Sequence, residues 1–104
     1  MISVHTTVPD DGTADRIARE LVEDRVAACV NTHTVGSTYL WEGEVVEEDE
    51  AALEIKTSVP FDEVRERVEA LHPYDVPMVT RYDAEANDAY ADWVRDSCDD
   101  GGGG

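Results

Sequence analysis

The amino-acid sequence predicts an α+β domain whose strands and helices follow one another as β-α-β-β-α-β, with a short C-terminal helix added. Three observations carry this prediction. Ile2 to Val8 alternates apolar and polar residues and is rich in β-branched side chains, the pattern of a half-buried strand. Two later stretches repeat apolar residues at helical spacing: Ala14, Ile17, Ala18, Leu21 and Val22, then Phe61, Val64, Val68 and Leu71. Between them lies a long non-helical segment folded back on itself at Glu42-Gly43-Glu44, where glycine can take the positive φ of a hairpin turn.

In chain order, the first strand places Ile2, Val4, Thr6 and Val8 on one face and is broken by Pro9-Asp10-Asp11-Gly12. Asp11 or Thr13 is expected to cap the following helix. That helix passes through Val26-Ala27-Ala28-Cys29 into a strand with no glycine or proline between, so the small residues form a hinge. The strand is expected from about Ala28, interrupted near His33-Thr34 and Gly36, and resuming to Trp41. The return strand covers Val45-Val46 and, after the acidic run Glu47 to Glu50, Ala51 to Thr57, with Leu53 and Ile55 facing one way and Glu54 and Lys56 the other. So long a hairpin would overhang so small a core.

The second helix, with Pro60 in its first turn, stops at His72-Pro73, because proline disfavours a helical residue before it. Met78 to Tyr82 is the final strand, with Pro77 suited to its start. Asn87 caps a last helix carrying Tyr90, Trp93 and Val94, both aromatics being expected in the core. This order fits the ferredoxin-like split βαβ arrangement, both helices covering one face of an antiparallel sheet. The chain is expected to be a single domain over residues 1–98, with 99–104 a disordered Asp/Gly tail.

A net charge of −17 with 41% apolar residues describes a folded, strongly acidic globule. Nucleic acid and anionic membranes are excluded as partners, since a polyanion is repelled. No stretch has the length of a signal-peptide core or a membrane span, so the expected location is the cytoplasm. Lys56 is the only lysine, and a surface of Asp and Glu with little lysine suits a high-salt cytoplasm, where screening removes self-repulsion.

The blocks Ala27-Ala28-Cys29-Val30-Asn31, Tyr39-Leu40-Trp41-Glu42-Gly43, Ile55-Lys56-Thr57 and Leu71-His72-Pro73-Tyr74-Asp75-Val76-Pro77, with the opening Thr6-Thr7-Val8-Pro9, resemble the CutA divalent-cation-tolerance family. The resemblance runs from Ser3 to about Ser97. It implies a tight homotrimer with long hairpin strands pairing between subunits, and an association with copper and other divalent ions. Where some family members have Tyr-Trp-Trp, this chain has Tyr39-Leu40-Trp41, and it is more acidic than most.

Cys29 and His72 supply the soft thiolate and imidazole ligands that suit copper or another divalent cation, and are the first candidates for metal. No CxxC, HxH or HExxH spacing supports them, so copies would have to converge across a trimer; Cys29 equally fits a small core residue and His72 a helix cap. Cys29 and Cys98 are expected to be reduced. Lys56, alone of its kind and inside a strand, is a candidate to bind an anion beside Trp41, His72 and Tyr74, or to pair with a carboxylate. His5 and His33 fit ordinary strand and loop positions, and Glu47 to Glu50 a solvated hairpin. No nucleophile elbow, P-loop or dinucleotide fingerprint is present, so catalysis and a firm cofactor are not expected. Three functions remain: a metal-binding trimer of the divalent-cation-tolerance type, a trimer like the PII signalling proteins binding a small anionic effector between subunits, and a structural assembly partner.

Overall fold

The computed structural model describes residues 1–99, so the tail expected at 99–104 lies outside the described residues from residue 100 onward. The elements are β1 (Ile2–Val8), α1 (Asp11–Glu23), β2 (Cys29–Trp41), β3 (Glu44–Thr57), α2 (Phe61–Leu71), β4 (Thr80–Asp83) and α3 (Asp88–Cys98). They build one antiparallel sheet in the order β2-β3-β1-β4, the ferredoxin-like topology.

The alternation in β1 and β3 places the core. Val4, Thr6 and Val8 of β1 and Ala51, Leu53 and Ile55 of β3 are buried on the face that receives Ala14, Ile17 and Leu21 of α1 and Val64 and Val68 of α2. Burial of such side chains stabilises a fold by about 1.5–3 kcal/mol each. Val22, expected in the α1 stripe, sits at its flank and stays 42% exposed. The cap of α1 is Asp10, one residue before the expected position: its carboxylate accepts from the Thr13 amide at 2.7 Å, which holds it below the usual carboxylate range. At the other end Arg25 takes φ +61°, the left-handed conformation normally left to glycine, while the Val26 and Ala27 amides both donate to the Leu21 carbonyl. This turn buries Val26, Ala27 and Ala28, so the glycine-free junction is a packed hinge.

β2 and β3 pair without interruption from Cys29↔Lys56 to Trp41↔Glu44. The breaks expected at His33-Thr34, Gly36 and the acidic run do not occur, because each strand supplies the other's ladder and Glu47, Glu48 and Asp49 are exposed. Glu42 (φ +50°) and Gly43 (φ +82°) form the two-residue turn. β1 covers only Ala51–Thr57, so the rest of the hairpin projects past it by roughly 24 Å at about 3.4 Å per residue. The resulting extents are 48 × 26 × 22 Å.

α2 ends as expected, with His72 extended (φ −80°, ψ 136°) before Pro73. β4 starts at Thr80, two residues later than expected, and pairs only with Ile2 to His5. Continuing its register would set Met78 opposite Thr7, whose carbonyl accepts instead from His72 Nε2 at 2.8 Å. Asn87 precedes α3 without a side-chain cap bond. Val94 is fully buried, but Trp93 is 47% exposed, correcting its expected place in the core; it packs against Tyr90 with ring centroids 5.6 Å apart.

Candidate functional site

The register separates the predicted site residues into three places along the hairpin. Cys29 and Lys56 are direct cross-strand partners at its base. The Thr7↔Ala52 row, beside which His72 docks, lies about 14 Å further along β3. Trp41, opposite Glu44, is at the tip, about 40 Å along the strand from Lys56. Within one protomer, Cys29 and His72 therefore do not share a metal centre, and Trp41, Lys56, His72 and Tyr74 do not share a cleft; only His72 and Tyr74 meet. The sequence blocks are contiguous motifs, but an extended strand spaces them out.

At the base, the alternation turns Cys29, Asn31, Glu54 and Lys56 onto the sheet face opposite α1 and α2. The Lys56 ammonium donates to Asn31 Oδ1, and the Cys29 thiol approaches the same oxygen at 3.9 Å. Lys56 takes part in no ion pair among the described residues, so the carboxylate partner considered for it is replaced by a neutral amide. Tyr90 of α3 reaches this cluster; burial first, then Cys29, push its hydroxyl above the ordinary tyrosine range. On the same face, Ser3 Oγ lies 3.0 Å from His5 Nε2, and the His5 ring packs on Tyr82 at 4.7 Å.

At the middle, His72 is buried and its two ring nitrogens are both engaged. Nε2 faces the Thr7 carbonyl, which can only accept, and Nδ1 faces the Tyr74 amide at 3.1 Å, which can only donate. These partners fix the neutral Nε2–H tautomer. No lone pair is left for a metal, and an imidazolium at this helix end would lose its Nδ1 partner. The Tyr74 ring lies 4.9 Å from His72, and its hydroxyl donates to Glu50 Oε2 at 2.9 Å. Burial first, then the Glu50 bond and charge, push Tyr74 well above the ordinary tyrosine range. Two residues along β3, Tyr39 donates to Glu48 at 2.5 Å; chiefly through that bond its hydroxyl is pushed up to about 12.

Glu50, 8% exposed, was hidden in the sequence within what looks like a solvated acidic run. Its position next to Ala51, where the apolar alternation begins, is the signal that marks it as the last residue under cover. Among the described residues, no three His, Cys, Asp or Glu side chains gather to hold a metal ion. Two shallow cavities, of about 420 and 440 Å³, lie at Ile2, Pro60, Phe61 and Arg81 and at Ser37, Thr38 and Glu47 to Asp49; neither is lined by Cys29, Lys56 or His72. No helix among the described residues is long and apolar enough to cross a membrane.

A ferredoxin-like sheet with α1 and α2 packed on one face and an overhanging hairpin defines a small α+β protein of the ferredoxin-like class. Residues 2–97 match the CutA1 divalent ion tolerance protein family, and the chain belongs to it. It is 48% identical over 94 residues to the divalent-cation tolerance protein CutA of Thermus thermophilus, covering 88% of this chain and 91% of that protein. The crystal structure of CutA1 from Pyrococcus horikoshii superimposes with a TM-score of 0.90 at 36% identity, over 93% of this chain and 97% of that one. The PII-like protein CutA from Nostoc, solved in apo form, superimposes with a TM-score of 0.89 at 34% identity, over 95% and 98% of the two chains.

Proposed function

We propose that this protein works as a cytoplasmic homotrimer in divalent-cation tolerance, without catalysing a reaction, and that any copper or other divalent ion it takes is held by Cys29 residues from converging copies. One observation carries the assembly: the hairpin projects beyond its own core with Tyr39 (38% exposed), Leu40 (72%), Trp41 (59%) and Val45 (67%) uncovered along it. Apolar surface on an unsupported ribbon calls for a partner, and the chain superimposes on CutA1 from Pyrococcus horikoshii over 93% of its length. The absence of a ligand cluster within the described protomer and the engagement of both His72 nitrogens leave Cys29 as the soft donor.

Native mass spectrometry of the metal-free protein, with copper added to wild type and Cys29→Ser, tests both parts. The expected species is three times the 11.5 kDa chain, with copper uptake lost in Cys29→Ser. A monomer at micromolar concentration refutes the assembly, and identical copper uptake by the two proteins refutes Cys29. A second reading, a small anionic effector bound between subunits, is favoured by the likeness to the Nostoc PII-like protein and by a Lys56 ammonium that forms no ion pair among the described residues. Anion binding would then survive Cys29→Ser and fail in Lys56→Ala.

A further inference from the structure

We propose that His72, Tyr74 and Glu50 form a pH-responsive latch that fastens the loop of residues 72–79 to the root of the hairpin and opens at the Tyr74 amide when His72 takes a second proton. The latch ties three elements in series. His72, at the end of α2, donates to Thr7 of β1; its other nitrogen accepts from the loop at Tyr74; the Tyr74 hydroxyl then closes onto Glu50 of β3.

Imidazolium carries N–H at both positions, so it satisfies Thr7 but sets donor against donor at Tyr74. Flipping the ring does not help, because neither edge of the cation accepts. The ring is 8% exposed, so water does not readily take the place of the lost partner. Of the titratable groups on the elements packed against it, Glu50 of β3 is tied to it through Tyr74, which stays neutral throughout the range, and Asp75 follows in the loop; on α2, Glu69 is engaged with Arg65 at 3.6 Å, and on β1 the nearest titratable group, His5, is packed on Tyr82. The hydrogen-bond geometry thus converts a second proton on His72 into loss of the loop contact. The segment released carries Val76 (83% exposed) and Met78 (44%) and leads directly into the edge strand β4.

Amide hydrogen exchange of the full-length protein, corrected for the intrinsic pH dependence of exchange, measures the opening of residues 73–79 between about pH 8 and about pH 5. The expected result is an opening constant for the Tyr74 amide that rises by up to about tenfold per pH unit once His72 titrates, the slope of a one-proton linkage. His72→Gln keeps an amide donor and a carbonyl acceptor but cannot be charged, so its profile should be flat. A flat profile in wild type, or an unchanged slope in His72→Gln, which would assign the proton to His5 or His33, overturns the proposal. If His72→Gln fails to fold, the ring nitrogen shifts of wild-type His72 decide. An Nε2–H imidazole whose titration coincides with Tyr74 opening supports the latch, and titration without opening overturns it.

Discussion

Replacing Tyr74 by Phe removes one hydroxyl from the latch and nothing else. The Glu50 carboxylate it serves is 8% exposed and accepts from Tyr74 at 2.9 Å, its one side-chain donor among the described residues, so the variant leaves a buried acceptor short of a partner. A lost hydrogen bond to a buried charged group costs about 1–3 kcal/mol, and the Tyr74 edge, itself about one-third exposed, admits some water; the lower half of that range is expected. Glu50→Leu removes the carboxylate instead and leaves a phenol that water can reach, which should cost less. The double variant should then be more stable than the sum of the two losses predicts, by about 1 kcal/mol. Urea unfolding at one fixed protomer concentration and one salt concentration supplies the four free energies, concentration being fixed because assembly adds to apparent stability. A coupling below about 0.3 kcal/mol, within the additivity expected of independent sites, would refute the Tyr74–Glu50 bond as a structural tie.

Four further outcomes are expected. Thr6 is 1% exposed and its Oγ1 has no hydrogen-bond partner among the described residues, so Thr6→Val should raise stability by about 1 kcal/mol in the same unfolding assay. Leu53→Ala, at a fully buried site between the helices, should cost about 2–5 kcal/mol. Tyr39 and Tyr74 both have folded-state pKa values raised above the ordinary tyrosine value of about 10, so the stability they contribute is complete below that pH and is lost as pH rises through the folded values; absorbance titration near 295 nm should show a late step near 12 that disappears in Tyr39→Phe. With a net charge of −17, the melting temperature should rise between dilute and molar salt, and a flat response would remove the case for a high-salt setting.

The fold was legible because its signals are local. The period of β1, the helical stripes at Ile17 and Val64, and the His72-Pro73 stop each depend on neighbours within a turn or two, and each element formed within a few residues of its expected place. Interruptions expected in β2 and β3 failed to appear because strand continuity depends on the partner ladder, which Gly36 and the acidic run do not disturb once the two strands are in register. Helical spacing with Tyr90 predicts Trp93 in the core, but Trp93 is exposed, Tyr90 half-buried and only Val94 fully buried; the helix phase relative to the sheet is a tertiary quantity.

By itself, then, the sequence determined the order and type of the elements, the buried face of the sheet, and the acidic, lysine-poor surface, because side-chain period and composition are properties of the chain alone. Tertiary structure decided which chemistry-bearing residues meet. Extended strands spread Trp41, Lys56 and the His72–Tyr74 pair along the hairpin, while a loop crossing at Thr7 brought Glu50, 24 residues away, onto Tyr74. It also decided which tautomer the neutral His72 ring adopts, because one acceptor and one donor face its two nitrogens, and no motif in the sequence reveals which partners those will be.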